Sequence, residues 1–137
     1  MNANLLAIDP GTVKCGLAIL DADGKVLFRE IASTSGIENR IPALIEQWEI
    51  ARIIYGRSTG AKNILALLEN VKQQGKSTFE IHSVDERNST LEARDLYWQE
   101  YPRRGLLRLL PISLLAPPVA IDDFAAAVLG RRFLGIG

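Results

Sequence analysis

Apolar residues run without alternation through "NLLAI" and stop at Asp9. That is the pattern of a strand covered on both faces. The stretch "CGLAILDADGKVLFREIAS" reads as two strands divided at "DADG", because an Asp-Gly pair between apolar runs is a hairpin signal. In "ENRIPALIEQWE" (38–49), Ile41, Leu44, Ile45 and Trp48 recur at spacings of three and four, which predicts one helical face, with Pro42 in its first turn. "ARIIYG" is a short strand ending at Gly56. "AKNILALLENVKQQG" is a helix with Ile64, Leu67, Leu68 and Val71 on one face and Gly75 as its stop. "TFEIHSV" is a further strand. "STLEARDLYWQEY" is a helix that Ser89 and Glu92 open as a capping box. Residues 102–118 are irregular and proline-rich, and "IDDFAAAVLGRRFL" is the last helix, entered from Pro117 and Pro118.

The predicted order is β-β-β-α-β-α-β-α-α. Strands alternating with helices pair in parallel beneath covering helices. The leading hairpin makes the second strand antiparallel. The expected fold is therefore α/β, a five-stranded mixed sheet with helices on both faces. In open sheets of this kind the site lies outside the carboxyl ends of the strands.

The chain has 137 residues, enough for one domain with a real core, so residues 1–137 are expected to form one domain. One cysteine, Cys15, rules out an internal disulfide and suits a reducing compartment. The N-terminus lacks the regions of a signal peptide, and "LLPISLLAPPVAI" is broken by prolines and falls short of the ~20 residues that span a bilayer. The expectation is a soluble cytoplasmic protein. Sixteen basic residues balance sixteen acidic ones, which argues against nucleic-acid binding by bulk charge. The balance is local, however. Residues 101–137 hold five arginines against Asp122 and Asp123.

Carboxylates fall at element ends. Asp9 ends the first strand, Asp85 and Glu86 follow the last, and Asp122 and Asp123 begin the final helix. Converging acids repel one another unless a divalent cation neutralises them. Oxygen-only ligands suit Mg²⁺ or Mn²⁺, and two such ions ~4 Å apart can activate a water and stabilise the leaving oxygen of a phosphodiester. Each acid also has a simpler role: Asp9 as an acceptor for the Gly11–Thr12 turn, Asp85 as a loop cap, Asp122 or Asp123 as an ordinary first-turn carboxylate. Alternation sends Asp85 and Glu86 to opposite faces, so one of them should turn away. Gly11 and Gly16 allow a tight turn with open N–H groups, and with Thr12 and Lys14 they form a candidate phosphate cradle. Arg57 and Arg87 follow strands and are candidates for phosphate contacts. His82 sits mid-strand and reads as structural.

Taken together, "IDPGTVKCGLAI", "DERNSTLEA" and "IDDFAAAVL" resemble the YqgF-type family, relatives of the RuvC Holliday junction resolvases. The likeness covers almost the whole chain. It implies a ribonuclease H-like fold, with Asp9, Glu86 and Asp122 as catalytic acids and metal ligands. Glu86 is preferred over Asp85 on this resemblance alone. It further implies a Mg²⁺- or Mn²⁺-dependent nuclease that processes the 5′ end of precursor 16S ribosomal RNA or resolves branched DNA. The implied partner is structured nucleic acid, with no membrane and with a homodimer left open. Two segments depart from the family pattern: "GRSTGAK" (56–62), shorter and more polar, and "PRRGLLRLLPISLLAPP" (102–118).

Two other readings stand beside the nuclease. One is a catalytically silent member that binds nucleic acid or a protein through residues 102–118. The other is nucleotide binding through an Asp-Gly-Thr hairpin, for which 137 residues are too few unless two copies combine.

Overall fold

A computed structural model describes residues 4–58, 60–75, 78–111 and 115–136. Parts of the 56–62 and 102–118 segments therefore lie outside the described residues. The elements are β1 (Asn4–Asp9), β2 (Lys14–Leu20), β3 (Val26–Ser33), α1 (Ile37–Trp48), β4 (Ile50–Gly56), α2 (Ala61–Gln74), β5 (Glu80–Val84), α3 (Ser89–Glu100) and α4 (Asp122–Phe133). Short 3₁₀ turns occupy Thr34–Gly36 and Gly105–Leu109.

The strands form one sheet in the order β3-β2-β1-β4-β5. β2 is antiparallel to both its neighbours, and β1, β4 and β5 run parallel. This is the expected mixed sheet. The β2–β3 turn is tightened by Asp21, whose Oδ1 accepts the N–H groups of Asp23 and Lys25, each at 2.9 Å, while Gly24 takes φ 88. A short polar side chain that bonds its own backbone and a glycine at positive φ are what such a turn requires.

β1 is central, which explains its unbroken apolar run. Leu6 and Ile8 face one way, with Leu17, Ile19 and Ile53, against Ile41 and Leu44 of α1 and Ile64 and Leu68 of α2. Leu5 and Ala7 face the other way, with Ala18, Leu20 and Ile54, against Ala126, Ala127 and Leu129 of α4. Helices thus cover both faces. The second face carries small residues among its leucines on both sides, Ala7 and Ala18 in the sheet and Ala126, Ala127 and Gly130 in α4. A Cβ added to Gly130 would lie 3.4 Å from the Ala7 Cβ and only 2.7 Å from a Leu20 methyl. Small side chains let a helix approach a sheet closely, and this brings the start of α4 down onto the strand ends.

Two local expectations are corrected. The 3₁₀ turn runs straight into α1, so the helix starts at Ile37 and Pro42 lies in its second turn. The proline there removes the N–H that the Glu38 carbonyl would accept. The capping box at α3 does not form either. Asn88 precedes the helix at φ 60 with no side-chain cap. Ser89 is buried and its N–H goes to the Glu86 carbonyl at 3.0 Å, while Glu92 turns outward to Arg132.

Candidate active site

Alternation along β1 puts Asp9 on the α4 face, at the carboxyl end of the central strand. Its cross-strand partner on β2 is Gly16. On the other side Ile8 pairs with Tyr55, one residue before Gly56 of β4. A glycine therefore flanks Asp9 on each neighbouring strand, and each missing side chain is filled by an acid-bearing residue. A Cβ on Gly16 would overlap the carbonyl of Asp122 and come within 2.9 Å of the Asp123 nitrogen. A Cβ on Gly56 would overlap the Glu86 carboxyl. The chain thus lays Asp122 over β2 and Glu86 over β4, with Asp9 between them.

The electrostatics follow from this packing. Asp9 is pushed up to about 7 from 3.8, first by burial, then by the charges of Glu86 and Asp122, then by a side-chain hydrogen bond with Glu86. Two facing carboxyl groups can bond only if one carries a proton. Burial also raises Glu86, with Ser58 and Asp9 acting the other way through hydrogen bonds. Glu86 Oε1 is buried with no hydrogen-bond partner among the described residues. Lys14 Nζ lies 3.3 Å from Asp122 Oδ2.

An oxygen-only cluster short of positive charge, with an orphaned buried oxygen, has the chemistry that suits Mg²⁺ or Mn²⁺. The positions are not closed around one point, however. Among the described residues no three His, Cys, Asp or Glu side chains are grouped so as to hold an ion as they stand. Asp122 is held by Lys14 instead.

Asp85 does not join the cluster. It is exposed, its Oδ1 accepts the Arg87 N–H at 2.9 Å, and that bond, followed by the charges of Arg87, Arg57 and Arg132, holds it below the usual carboxylate range. Glu86 is thus the inward member of the pair. Arg57 and Arg87 are exposed on the rim beside Asp85 rather than inside the cluster.

The Pro10–Lys14 turn is held from outside. Thr34 Oγ1 donates to the Gly11 carbonyl and the Thr34 N–H to the Val13 carbonyl, both at 2.9 Å. A Cβ on Gly11 would overlap the Lys14 carbonyl, so the turn needs glycine there. Thr12 and Lys14 are exposed beside it. Gly16 belongs to β2 rather than to the turn, and what it provides is room for Asp122, not a free N–H.

Three contributors escaped the sequence reading. Gly56 makes room for Glu86, and its position at a strand end before a polar loop was the available signal. Ser58 bonds Glu86. Arg29 donates to Asp123 at 3.0 Å and to both oxygens of Glu100 at 3.0 and 3.1 Å, and its guanidinium lies 3.9 Å over the Phe124 ring. It ties the start of α4 to β3 and α3. Nothing near Arg29 in the chain announces partners 71 and 94 residues away.

A family model described as RuvX, Holliday junction resolvase, matches residues 3–134. Comparison with curated proteins finds no match. Among solved structures, the fowlpox virus Holliday junction resolvase is similar with a TM-score of 0.62 at 16% identity, covering 96% of this chain and 97% of that one. The RuvC of Thermus thermophilus in complex with a Holliday junction substrate is similar with a TM-score of 0.59 at 13% identity, covering 96% and 94%. The fowlpox resolvase with its substrate Holliday junction DNA gives 0.62 at 13% identity, covering 96% and 97%. At these identities the likeness is one of fold, and that fold is ribonuclease H-like.

Proposed function

The chain belongs to the RuvX family of Holliday junction resolvases, and from that premise we propose that it is a metal-dependent nuclease hydrolysing phosphodiester bonds in structured nucleic acid. The observation that carries this reading is the packing of Asp122 over Gly16 and Glu86 over Gly56 on either side of Asp9. Repelling carboxylates gathered at the carboxyl ends of parallel strands are a cost to the fold unless they serve a charge.

Asp9, Glu86 and Asp122 are the residues proposed to hold Mg²⁺ or Mn²⁺. Such ions, in a two-metal site, supply activation of water and stabilisation of the leaving oxygen. The chain's own groups then have distinct tasks. Lys14, one hydrogen-bond length from Asp122, is placed to exchange that partner for a phosphate. Arg57 and Arg87 on the rim, with the Gly11–Thr12 turn, are proposed to seat the flanking backbone. Asp85 orders the loop that carries Glu86 through its bond to the Arg87 N–H.

The proposed substrates are the 5′ end of precursor 16S ribosomal RNA and branched DNA. Among the described residues no helix is long and apolar enough to cross a membrane. The single cysteine suits the cytoplasm as the proposed setting. The two apolar layers share the same five strands, which supports reading residues 1–137 as one domain.

A silent nucleic-acid- or protein-binding member is the second reading, and the observation in its favour is that the acids are not closed around one point. Purified protein with Mn²⁺ on labelled precursor rRNA and on a four-way junction, beside single-stranded controls, decides. Cleavage that requires Mn²⁺ and disappears in Asp9→Asn supports the nuclease. Binding without cleavage at any Mn²⁺ or Mg²⁺ concentration favours the silent member.

A further inference from the structure

The segment between α3 and α4 has features the acid cluster does not use. No acidic residue lies between Glu100 and Asp122, while Arg103, Arg104 and Arg108 do. Gly105–Leu109 forms a 3₁₀ turn, in which residues three apart share a row. Leu106 and Leu109 make one row, 82% and 80% exposed. Leu107, 46% exposed, is on the next, Arg108 stands on the third edge, and Leu110, 44% exposed, follows the turn in extended backbone. The turn is built rather than frayed. Gly105 takes φ 63 to start it, and Arg103 donates to the Leu107 carbonyl at 3.2 Å and to the Leu110 carbonyl to close it. Four accessible leucines held outward at one point are not what a solvated loop presents.

Both roots of this segment lie at the start of α4. The Tyr101 ring packs 6.5 Å from the Phe124 ring, and Arg29 links Glu100 to Asp123. The other root, Ile121, directly precedes Asp122. The ridge is thus carried by the residues that carry the third acid.

The geometry points to the Leu106–Leu109 row as a wedge that packs on exposed base faces of structured nucleic acid, with Arg104 and Arg108 on the adjacent phosphates. This inference rests on the nuclease reading of the acid cluster. A polyanion with apolar faces is the partner that asks for both kinds of group at once. Among the described residues neither Arg104 nor Arg108 has a carboxylate partner. An acid cluster repels a polyanion, so cations and apolar contacts beside it must hold the strand in place.

Binding of the full chain in EDTA tests this, with three probes: a DNA four-way junction carrying 2-aminopurine at the branch, an RNA stem–loop, and a blunt duplex. Leu106→Ser with Leu109→Ser should weaken junction or stem–loop binding about tenfold and abolish the fluorescence rise at the branch, leaving the duplex unchanged. The probe that responds identifies DNA or RNA as the source of the bases. Arg104→Ala with Arg108→Ala should weaken all three and lower the slope of log Kd against log salt by about 2. Melting curves should show both variants folded, since the altered side chains are exposed. Wild-type affinity in the leucine variant overturns the wedge. So does a wild-type dimer that the leucine changes convert to monomer with nucleic-acid binding intact, which would make the ridge a self-association surface. If the wild type binds none of the probes in EDTA and neither binds nor cleaves them when Mn²⁺ is added, the nuclease reading itself fails; if it binds none in EDTA but cleaves with Mn²⁺, the wedge fails alone. If it cleaves while both variants bind and cleave normally, only the wedge fails.

Discussion

The backbone of Asp122 occupies the space that a side chain on Gly16 would fill. A strand residue with no side chain thereby sets how deeply the last helix can sit. Gly16→Ala would press a methyl group into the Asp122 carbonyl and crowd the Asp123 nitrogen, both of them backbone that cannot step aside. The expected result is a loss of about 1–3 kcal/mol of stability, together with loss of cleavage as Asp122 moves off Asp9. Urea melts and the Mn²⁺-dependent cleavage assay check both. A fully stable and active alanine variant would show that α4 sits less tightly than described.

Gly56→Ala should behave differently. There the nearest atoms to the added methyl are Cγ, Cδ and Oε1 of the flexible Glu86 side chain, which can swing away. The substitution also removes backbone freedom from the unfolded chain, worth roughly 0.4–1 kcal/mol in favour of folding. Stability should change by less than about 1 kcal/mol while cleavage is lost. The two alanine variants together separate displacement of a helix from displacement of one carboxylate.

The hairpin, the three parallel strands and the helices around them were legible because their signals are local. An unbroken apolar run marks β1 as central, and Asp21 with Gly24 marks the turn. The three acids were legible as residues at element ends that converge, but the packing that makes room for them was not. It depends on Gly16 and Gly56, whose meaning lies in what packs over them from residues 122 and 86. A glycine beside a turn reads locally as part of the turn, and Gly16 was read so. The capping box at Ser89 failed for a related reason: Arg132, far along the chain, competes for Glu92, and Ser89 is drawn into the core.

Arg29 should matter more than its place in an edge strand suggests. Its guanidinium serves Asp123 and Glu100 and covers the Phe124 ring. Arg29→Ala leaves Asp123 part-buried without its cation, with an expected cost of about 2–3 kcal/mol. Arg29→Lys should recover little, because an ammonium cannot bridge two carboxylates with a planar fork. Thermal melts of the two variants beside Asp123→Asn check this. If Arg29→Ala destabilises no further in the Asp123→Asn background, the two residues act as one unit.

Asp9 predicts a pH dependence with a definite sign. In the metal-free fold its carboxyl titrates at about 7 rather than 3.8. Between those values the folded chain holds a proton that the unfolded chain has released, so raising the pH disfavours folding across that window. Above about 7 both states are ionised and the penalty is constant. The carboxyl is partly reached by solvent, so the penalty is discounted to on the order of 2 kcal/mol at pH 8. Asp9→Asn cannot ionise and should not pay it. In EDTA the variant should therefore melt above the wild type at pH 8, with the gap closing as the pH falls toward 4. Mn²⁺ should raise the wild-type melting temperature at pH 8 and leave the variant nearly unmoved, since the ion then takes over the neutralising role of the proton. If Asp9 merely accepts hydrogen bonds from its turn, the variant should instead melt lower at pH 8, by about 1 kcal/mol, with no response to Mn²⁺ in either protein. Melts at pH 4, 6 and 8, with EDTA and with Mn²⁺, distinguish the two by the sign of the difference.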